Sequence, residues 1–289
     1  MKILVIGSGF IATPVIERLQ SEGHELLVYT RTPSVGIDCR QIQGDIFNFE
    51  EFLGVLAWKP QVIIHTAWVT IPGLYREDVS NIRYAQFTID LAKYVSFSDV
   101  EHLIVLGSCA EYGLQVGPSR AGVTALTPRS LYGIQKVIAL NSAMSSMQES
   151  QSRLTWARIF YPFGVSQHKD RLIPHLIKSV KNGETIELAD TSSQYDWITT
   201  RDIASAISWV LQNNLPLEID IGTSFGYTNL ELFEIIVKLS GSKTELPMQQ
   251  VDDLHAKEVC VVDKNSSLLG SGWLPKDSLL KGLEWVFNS

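Results

Sequence analysis

The chain has 289 residues, 45% of them hydrophobic and 19% charged, and its formal net charge is −7. This composition supports a sizeable core and excludes a disordered chain. The acidic balance, without a basic run, argues against nucleic acid as a partner. Apolar runs are too short to cross a membrane. The cysteines and histidines follow neither zinc-site nor disulfide spacing, which predicts no bound metal and a reducing, cytoplasmic location.

Strand and helix patterns alternate along the first half of the chain. Continuous apolar runs, typical of strands buried on both faces, occupy residues 3–6, 26–29, 62–64, 103–106 and 155–160. Between them, helical spacing of apolar residues covers 11–19, 49–58, 81–95 and 130–147. This alternation predicts parallel strands joined by right-handed crossovers, and therefore an α/β fold with a Rossmann-like doubly wound sheet.

The alternation loosens after about residue 160. Helical patterns at 171–181, 200–212 and 228–239 are separated by loops rich in Gly, Ser, Asp and Pro. We therefore predict a dinucleotide-binding Rossmann domain over residues 1–160 and mainly a smaller C-terminal substrate-binding lobe over 161–289. Some segments of this second region, about 195–225, are expected to return to the Rossmann part.

A glycine-rich turn joins the first predicted strand to the first predicted helix. Gly7 permits a tight turn, and Gly9 removes the side chain where the backbone must approach a pyrophosphate. The N–H groups that follow, of Phe10 and Ile11, lie near a helix N-terminus, whose dipole favours phosphate. The position of this motif after a buried strand predicts a dinucleotide site, although an ordinary strand-to-helix turn also uses glycines.

The end of the second strand bears on the choice of cofactor. An Asp or Glu there would accept hydrogen bonds from the ribose of NAD, but this chain has Thr30 and Arg31. The guanidinium of Arg31 could pair with the 2′-phosphate of NADP, or it could simply face water. Asp45, beside Ile46, could accept a bond from the adenine amino group or cap the helix near Phe49. The sequence favours NADP and leaves NAD open.

Tyr132 and Lys136 carry the chemistry that the sequence predicts. They lie one helical turn apart on the same face, where the ammonium is expected to lower the pKa of the phenol and make it a usable acid or base. Ser108 follows a buried strand, one loop before that helix. Both elements should reach the carboxyl edge of the sheet, where ligands bind. We therefore predict that Ser108, Tyr132 and Lys136 form the catalytic group.

Further short motifs follow one another along nearly the whole chain. They are His65-Thr66-Ala67, Asn81, Tyr112 four residues after Ser108, Phe160-Tyr161-Pro162-Phe163-Gly164, Asp170-Arg171-Leu172-Ile173-Pro174, Asp196-Trp197-Ile198, Arg201-Asp202-Ile203-Ala204, Leu269-Gly270 and Gly272-Trp273-Leu274-Pro275. Together with the glycine turn and the catalytic group, their order and spacing resemble the extended short-chain dehydrogenases/reductases. The specific resemblance is to the nucleotide-sugar epimerase/dehydratase/reductase family.

The resemblance implies a role for each site residue. Tyr132 would donate or accept the proton on a sugar hydroxyl or ketone, Ser108 would hydrogen-bond the same oxygen, and Lys136 would bind the nicotinamide ribose. The implied cofactor contacts are Gly7, Gly9, Phe10, Ile11, Thr30, Arg31, Asp45, Ile46, Thr66, Ala67, Gly107, Tyr132, Lys136 and Tyr161. The implied substrate contacts are Trp68, Ser108, Cys109, Tyr161, Leu172, Ile173 and Tyr195. For Trp68, packing in the core is the alternative.

Departures from the family pattern narrow the activity. The glycine motif lacks one spacer residue and its last glycine, but keeps the two critical positions. Tyr195 replaces an arginine that commonly contacts the nucleotide diphosphate. Cys109 and Ala110 replace the acidic pair of the dehydratases and cannot perform elimination. Glu111 lies one residue after the second position of that pair, and we interpret it as a structural residue.

These features predict an NAD(P)-dependent oxidoreductase of nucleotide sugars, and most directly an NADPH-dependent reductase of a 4-keto-6-deoxy nucleotide sugar. A nucleotide-sugar epimerase with retained cofactor is one alternative, and a catalytically silent NADP-sensing protein is another. The helices predicted near residues 81 and 130 have long apolar faces. Such helices form a dimer bundle in the family, so a homodimer is expected, with packing on the chain's own sheet as the alternative.

Overall fold

Parallel strands form the centre of the protein. The computed structural model describes residues 1–188, 190–241, 248–249 and 257–289. The strands are β1 (Lys2–Ile6), β2 (Glu25–Thr30), β3 (Arg40–Gln43), β4 (Val62–His65), β5 (His102–Ser108), β6 (Arg153–Ile159), β7 (Tyr161–Phe163), β8 (Glu187–Leu188), β9 (Gln194–Tyr195), β10 (Trp197–Thr199), β11 (Glu218–Ile221), β12 (Tyr227–Thr228), β13 (Met248–Gln249) and β14 (Val259–Cys260).

Helices connect these strands. They are α1 (Ala12–Ser21), α2 (Phe49–Val55), α3 (Ser80–Val95), α4 (Leu131–Met147), α5 (Leu172–Asn182), α6 (Thr200–Gln212), α7 (Asn229–Ser240), α8 (Ser267–Gly270) and α9 (Leu279–Phe287), with short 3-10 turns at Leu56–Trp58 and Cys109–Glu111. Within the described part of the chain, no helix is both long and apolar enough to span a membrane.

The main sheet has the strand order β11-β6-β5-β4-β1-β2-β3, and the paired strands run parallel. The chain moves outward from β1 in one direction through β2 and β3, and in the other through β4, β5 and β6. The switch point therefore lies between β1 and β4, and ligands of such sheets bind outside the carboxyl ends of the strands at this point. The predicted Rossmann-like doubly wound fold is confirmed.

Apolar clusters cover both faces of this sheet. One cluster joins the strands to α2, α3 and α4, and a second joins them to α1, α6 and α8. The continuous apolar runs of β1 and β4 supply side chains to both clusters, as expected for strands buried on both faces. A third cluster packs β7, β10, α5, α7 and α9 together beside the carboxyl edge.

Two segments from the second half of the chain join the main sheet. Strand β11 pairs with β6, and α6 packs beside α1. The short strands β9, β12 and β14 form a separate sheet, and β7 pairs with β10. The carboxylate of Asp196, between β9 and β10, accepts bonds from the backbone N–H groups of Thr223, Ser224 and Val262. This buried carboxylate ties together three distant parts of the second half.

Candidate active site

The glycine turn after β1 has the shape that a dinucleotide requires. Gly7 has a φ of +103°, and a Cβ there would lie 2.6 Å from Oγ1 of Thr66, so only glycine fits. A Cβ on Gly9 would meet open space, and α1 begins three residues later. The backbone N–H groups of this turn thus border an open cradle at a helix N-terminus. These residues fit the pyrophosphate of a dinucleotide.

The end of β2 lies directly beside this turn. The hydroxyls of Thr30 and Ser8 are 2.7 Å apart, and the amide of Gln43 donates to the backbone oxygen of Arg31 at 3.1 Å. These bonds fix the backbone on both sides of Arg31, whose own side chain is exposed. Arg31 is thus an exposed cation next to the glycine turn.

Asp45 lies after β3, near the same edge. Its carboxylate accepts from the N–H of Phe47 at 3.0 Å, while Asn48 caps α2 by accepting from the N–H of Glu51 at 3.3 Å. The alternative in which Asp45 caps that helix is therefore wrong. Asp45 is exposed, whereas Ile46 is buried and packs in the core.

Tyr132 lies in the first turn of α4, facing the end of β5. Ser130 caps this helix by accepting from the N–H of Gly133 at 3.2 Å, and the N–H of Tyr132 donates to the carbonyl of Arg76 at 2.9 Å. Ser108 is the last residue of β5 and hydrogen-bonds the Tyr132 phenol. Burial raises the pKa of Tyr132, and the bond with Ser108 acts in the opposite direction.

Lys136 follows Tyr132 on the inner face of α4 and is 3% exposed. Its Nζ donates to the carbonyl of Leu106 at 2.6 Å and lies 3.6 Å from the ring centroid of Trp68, but 5.9 Å from that of Tyr132. Burial lowers the pKa of Lys136 to about 7, while Glu111 acts to raise it. The lowered pKa that the spacing with Lys136 predicts for Tyr132 is not found in this arrangement, because burial raises that pKa.

Trp68 forms the platform on which these side chains rest. Its ring stacks on Tyr84 and meets the edge of Tyr132, and its Nε1 donates to the side chain of Asn81 at 2.7 Å. Only 8% of Trp68 is exposed, so the structure places it in the core beneath Lys136 rather than on an open pocket wall. Thr66 and Ala67 come just before it, and Thr66 donates to the carbonyl of Ile6.

An aromatic cluster lies on the side of the site nearest the third apolar cluster. Tyr161 is 4.5 Å from Tyr195 and 5.2 Å from Trp197 between ring centroids, and the hydroxyl of Tyr195 donates to Asp190 at 2.7 Å. The thiol of Cys109 hydrogen-bonds that of Cys260. Leu172 and Ile173 open α5, and both pack with the third cluster. Tyr195 and Trp197 are buried members of the third cluster, and Tyr161 packs against them.

Comparison with known proteins identifies the family. The sequence profile of the NAD dependent epimerase/dehydratase family matches residues 3–222. The chain belongs to this family. A UDP-glucose 4-epimerase of Lactobacillus helveticus is 25% identical, with 96% of this chain and 92% of that protein covered. A GDP-6-deoxy-D-talose 4-dehydrogenase of Aggregatibacter actinomycetemcomitans is also 25% identical, with 93% and 90% covered.

Solved structures of this epimerase/dehydratase family share the fold. The crystal structure of a UDP-glucose 4-epimerase of Thermus thermophilus, a complex with NAD, has a TM-score of 0.86 at 21% identity and covers 100% of this chain and 98% of its own. The family resemblance inferred from the sequence is confirmed. The protein is thus an NAD(P)-dependent enzyme of the short-chain dehydrogenase/reductase type.

The structure also brings forward residues of this epimerase/dehydratase-family enzyme that the sequence did not single out. Tyr75 meets the edge of Tyr132 at 5.1 Å, and the guanidinium of Arg76 hydrogen-bonds Tyr75. Both come from an irregular loop, which has no periodic pattern to mark them. Gly107, by contrast, is one of the cofactor contacts that the resemblance implies. It leaves room for Trp156 and Glu111, because a Cβ there would lie 2.3 Å from the indole nitrogen. Its role in the structure is packing beneath the site.

Proposed function

We propose that the protein is an NADP(H)-dependent oxidoreductase that reduces the keto group of a 4-keto-6-deoxy nucleotide sugar. The observation that carries this proposal is the position of Arg31 beside the glycine turn, next to a site that holds Ser108, Tyr132 and Lys136 together. Burial keeps the phenol of Tyr132 protonated at neutral pH, which suits a donor of protons to a ketone.

The reaction assigns a task to each side chain. The Tyr132 hydroxyl donates its proton to the ketone oxygen, and the Ser108 hydroxyl hydrogen-bonds the same oxygen as negative charge develops there. The Lys136 ammonium binds the nicotinamide ribose. When bound, the nicotinamide supplies the hydride that reduces the sugar carbon. Trp68 and the carbonyl of Leu106 hold Lys136 in place for this task.

The test of this proposal follows the nicotinamide. Enzyme is mixed with NADPH and a nucleotide-linked 4-keto-6-deoxy sugar, and absorbance is recorded together with the sugar product. Loss of NADPH matched by a new hydroxy sugar supports the proposal. Interconversion of two hydroxy sugars without net change in nicotinamide would replace it with the epimerase, which the similarity to UDP-glucose 4-epimerases favours. The Tyr132→Phe variant serves as the control for background reduction.

The choice between NADP and NAD depends on Arg31. Replacing Arg31 with Ala is expected to weaken NADP binding by about 1–3 kcal/mol, because a charge-assisted contact to the 2′-phosphate is lost, and to leave NAD binding nearly unchanged. Calorimetry with both cofactors measures the two affinities. Arg40→Ala is the matched control, because Arg40 is also exposed but pairs with Leu27, three residues before the ligand end of β2. Equal losses for both cofactors would show that Arg31 only faces water.

The outer faces of α3 and α4 support the proposal of a homodimer. The two helices pack side by side and expose large apolar side chains, Ile82, Ile134, Ile138 and Met144 among them. Pairing with the same helices of a second copy would bury this patch in a four-helix interface. Light scattering should give twice the 32.3 kDa chain mass, and Ile138→Glu should give the single-chain mass. A monomeric wild-type protein would contradict this expectation.

A further inference from the structure

Glu111 is a fully buried carboxylate three residues after Ser108, and the reaction scheme above does not use it. Its Oε1 accepts the backbone N–H of Ser108 at 2.8 Å, and its Oε2 accepts from Nε of Arg158 at 2.7 Å. Both oxygens lie 3.0 Å from the indole nitrogen of Trp156. Because every one of these partners is a donor, the group accepts all these bonds as a carboxylate.

The neighbours of Glu111 hold it in one position. Arg158 is buried and also binds Glu218, and Trp156 is completely buried on the same strand. Gly107 is the residue that makes this approach possible, since a Cβ on it would lie 2.7 Å from Oε1 of Glu111. A long side chain fixed at both oxygens by rigid donors cannot move without breaking several buried bonds.

The bond from Ser108 to Glu111 is one half of a reciprocal pair. The other half is the bond from the N–H of Ala110 to the Ser108 hydroxyl, at 3.2 Å. A hydroxyl that accepts this bond still has its own proton to donate. The pair therefore fixes both the backbone of Ser108 and the direction in which its hydroxyl can donate, which is the direction that a substrate oxygen beside Tyr132 needs.

We propose that Glu111 is a positioning residue that fixes the catalytic Ser108 hydroxyl by binding its backbone N–H. The inference rests on the proposed function in so far as Ser108 contacts the reacting oxygen. It differs from a purely structural ion pair with Arg158 in one respect. Glu111 accepts from the N–H of Ser108 as well as from the guanidinium. Glu218 binds the same guanidinium from a position where its side chain is 21% exposed. Glu218 is therefore the matched control for loss of a carboxylate from Arg158.

The experiment compares three proteins in steady-state kinetics: wild type, Glu218→Gln, and the double variant Glu111→Leu/Arg158→Met. The double variant removes both fully buried charges together, so that neither is left alone in the core, and the Glu218 carboxylate that loses Arg158 is 21% exposed and can be hydrated. We expect its kcat to fall about tenfold, the effect of one lost hydrogen bond, while the KM values for sugar and cofactor change less than about twofold. Glu218→Gln should keep kcat within about twofold of wild type. Equal losses in both variants would overturn the proposal.

A cycle with Ser108→Ala isolates the route of the effect. If Glu111 acts through Ser108, adding Glu111→Leu/Arg158→Met to the Ser108→Ala variant should not lower kcat any further. If the fold-losses in kcat of Ser108→Ala and of the double variant multiply instead, the proposal is contradicted, because Glu111 would then act independently of the Ser108 hydroxyl. Circular dichroism and thermal unfolding of each variant check that the proteins compared are folded.

A second readout does not depend on the substrate. Hydrogen exchange of the Ser108 amide, followed by NMR in the cofactor-free protein, should be slow in wild type and Glu218→Gln and at least about tenfold faster in the double variant. Equal exchange in all three proteins would overturn the inference even if the enzyme reduces the sugar. Conversely, failure of the wild type to turn over any nucleotide sugar would contradict the proposed function. Faster exchange of the Ser108 amide in the double variant alone would still support the positioning of Ser108 by Glu111.

Discussion

Replacing Tyr132 with Phe is expected to lower kcat at least about a hundredfold, the usual scale for loss of a general acid or base. The phenol reaches Ser108 from the first turn of α4, and removal of one oxygen leaves the ring contacts with Trp68 and Tyr75 in place. Cofactor affinity should therefore change little. Steady-state kinetics and a fluorescence titration with the cofactor measure the two quantities.

The control for this variant is Tyr94→Phe, which removes a hydroxyl from an exposed tyrosine of α3. It should have wild-type kcat. Near-normal turnover by Tyr132→Phe would remove this residue from the chemistry. A collapse of cofactor binding together with kcat would instead show that the hydroxyl organises the site before any proton moves.

Replacing Lys136 with Met is expected to abolish most activity and, at the same time, to stabilise the cofactor-free protein in a pH-dependent way. The folded pKa of Lys136 is about 7, below its ordinary value of 10.5, because burial disfavours the charged form. Below pH 7 the lysine is charged in both the folded and the unfolded chain, so burial of this charge lowers the free energy of unfolding by its full amount. As pH rises above 7 the folded protein loses this proton first, so the cost declines.

The gain in the free energy of unfolding from Lys136→Met should thus be largest near pH 6 and smaller at pH 9, by an amount on the order of 2–3 kcal/mol, since each pKa unit is worth about 1.4 kcal/mol. Urea unfolding of both proteins at the two pH values measures the difference. Lys93→Met, at an exposed position of α3, is the control and should show no such change. A gain independent of pH would mean that Lys136 stays charged throughout, held by Leu106 and Trp68.

The features that the sequence predicts best are those with a strong local pattern. The apolar runs of β1, β4 and β5 predict strands buried on both faces, and the structure confirms the doubly wound sheet. The glycine turn is equally local, since the φ of Gly7 and the contact with Thr66 both demand glycine. The topology of such a sheet then brings Ser108, Tyr132 and Lys136 together without any further information.

Features that depend on distant partners were harder to predict. Strand β11 contains Glu218 and Asp220, and its alternation of acidic and apolar residues resembles an exposed segment. In the structure Asp220 is buried because the hydroxyl of Tyr112 and the N–H of Ala121 bind it. The same holds for Glu111, whose spacing from Ser108 matches a capping box but whose burial depends on Arg158.

The wrong expectation about the Tyr132 pKa has a related cause. Spacing on a helix predicts that two side chains share a face, but it does not say which groups surround them. Trp68 attracts the ammonium of Lys136 towards its ring, and the Leu106 carbonyl binds it there. Both partners lie outside the helix, Leu106 on β5 and Trp68 after β4. A sequence pattern within α4 therefore cannot predict these contacts.

The place of β11 in the sheet has a consequence for synthesis on the ribosome. Strand β6 pairs with β5 on one side, but on its other side it pairs with β11, residues 218–221, which are synthesised later. Until that segment has left the exit tunnel, the nascent chain carries an open strand edge of the kind that pairs with other chains. We therefore expect stable folding to be delayed until most of the second half has been made, and a fragment that stops near residue 160 to aggregate.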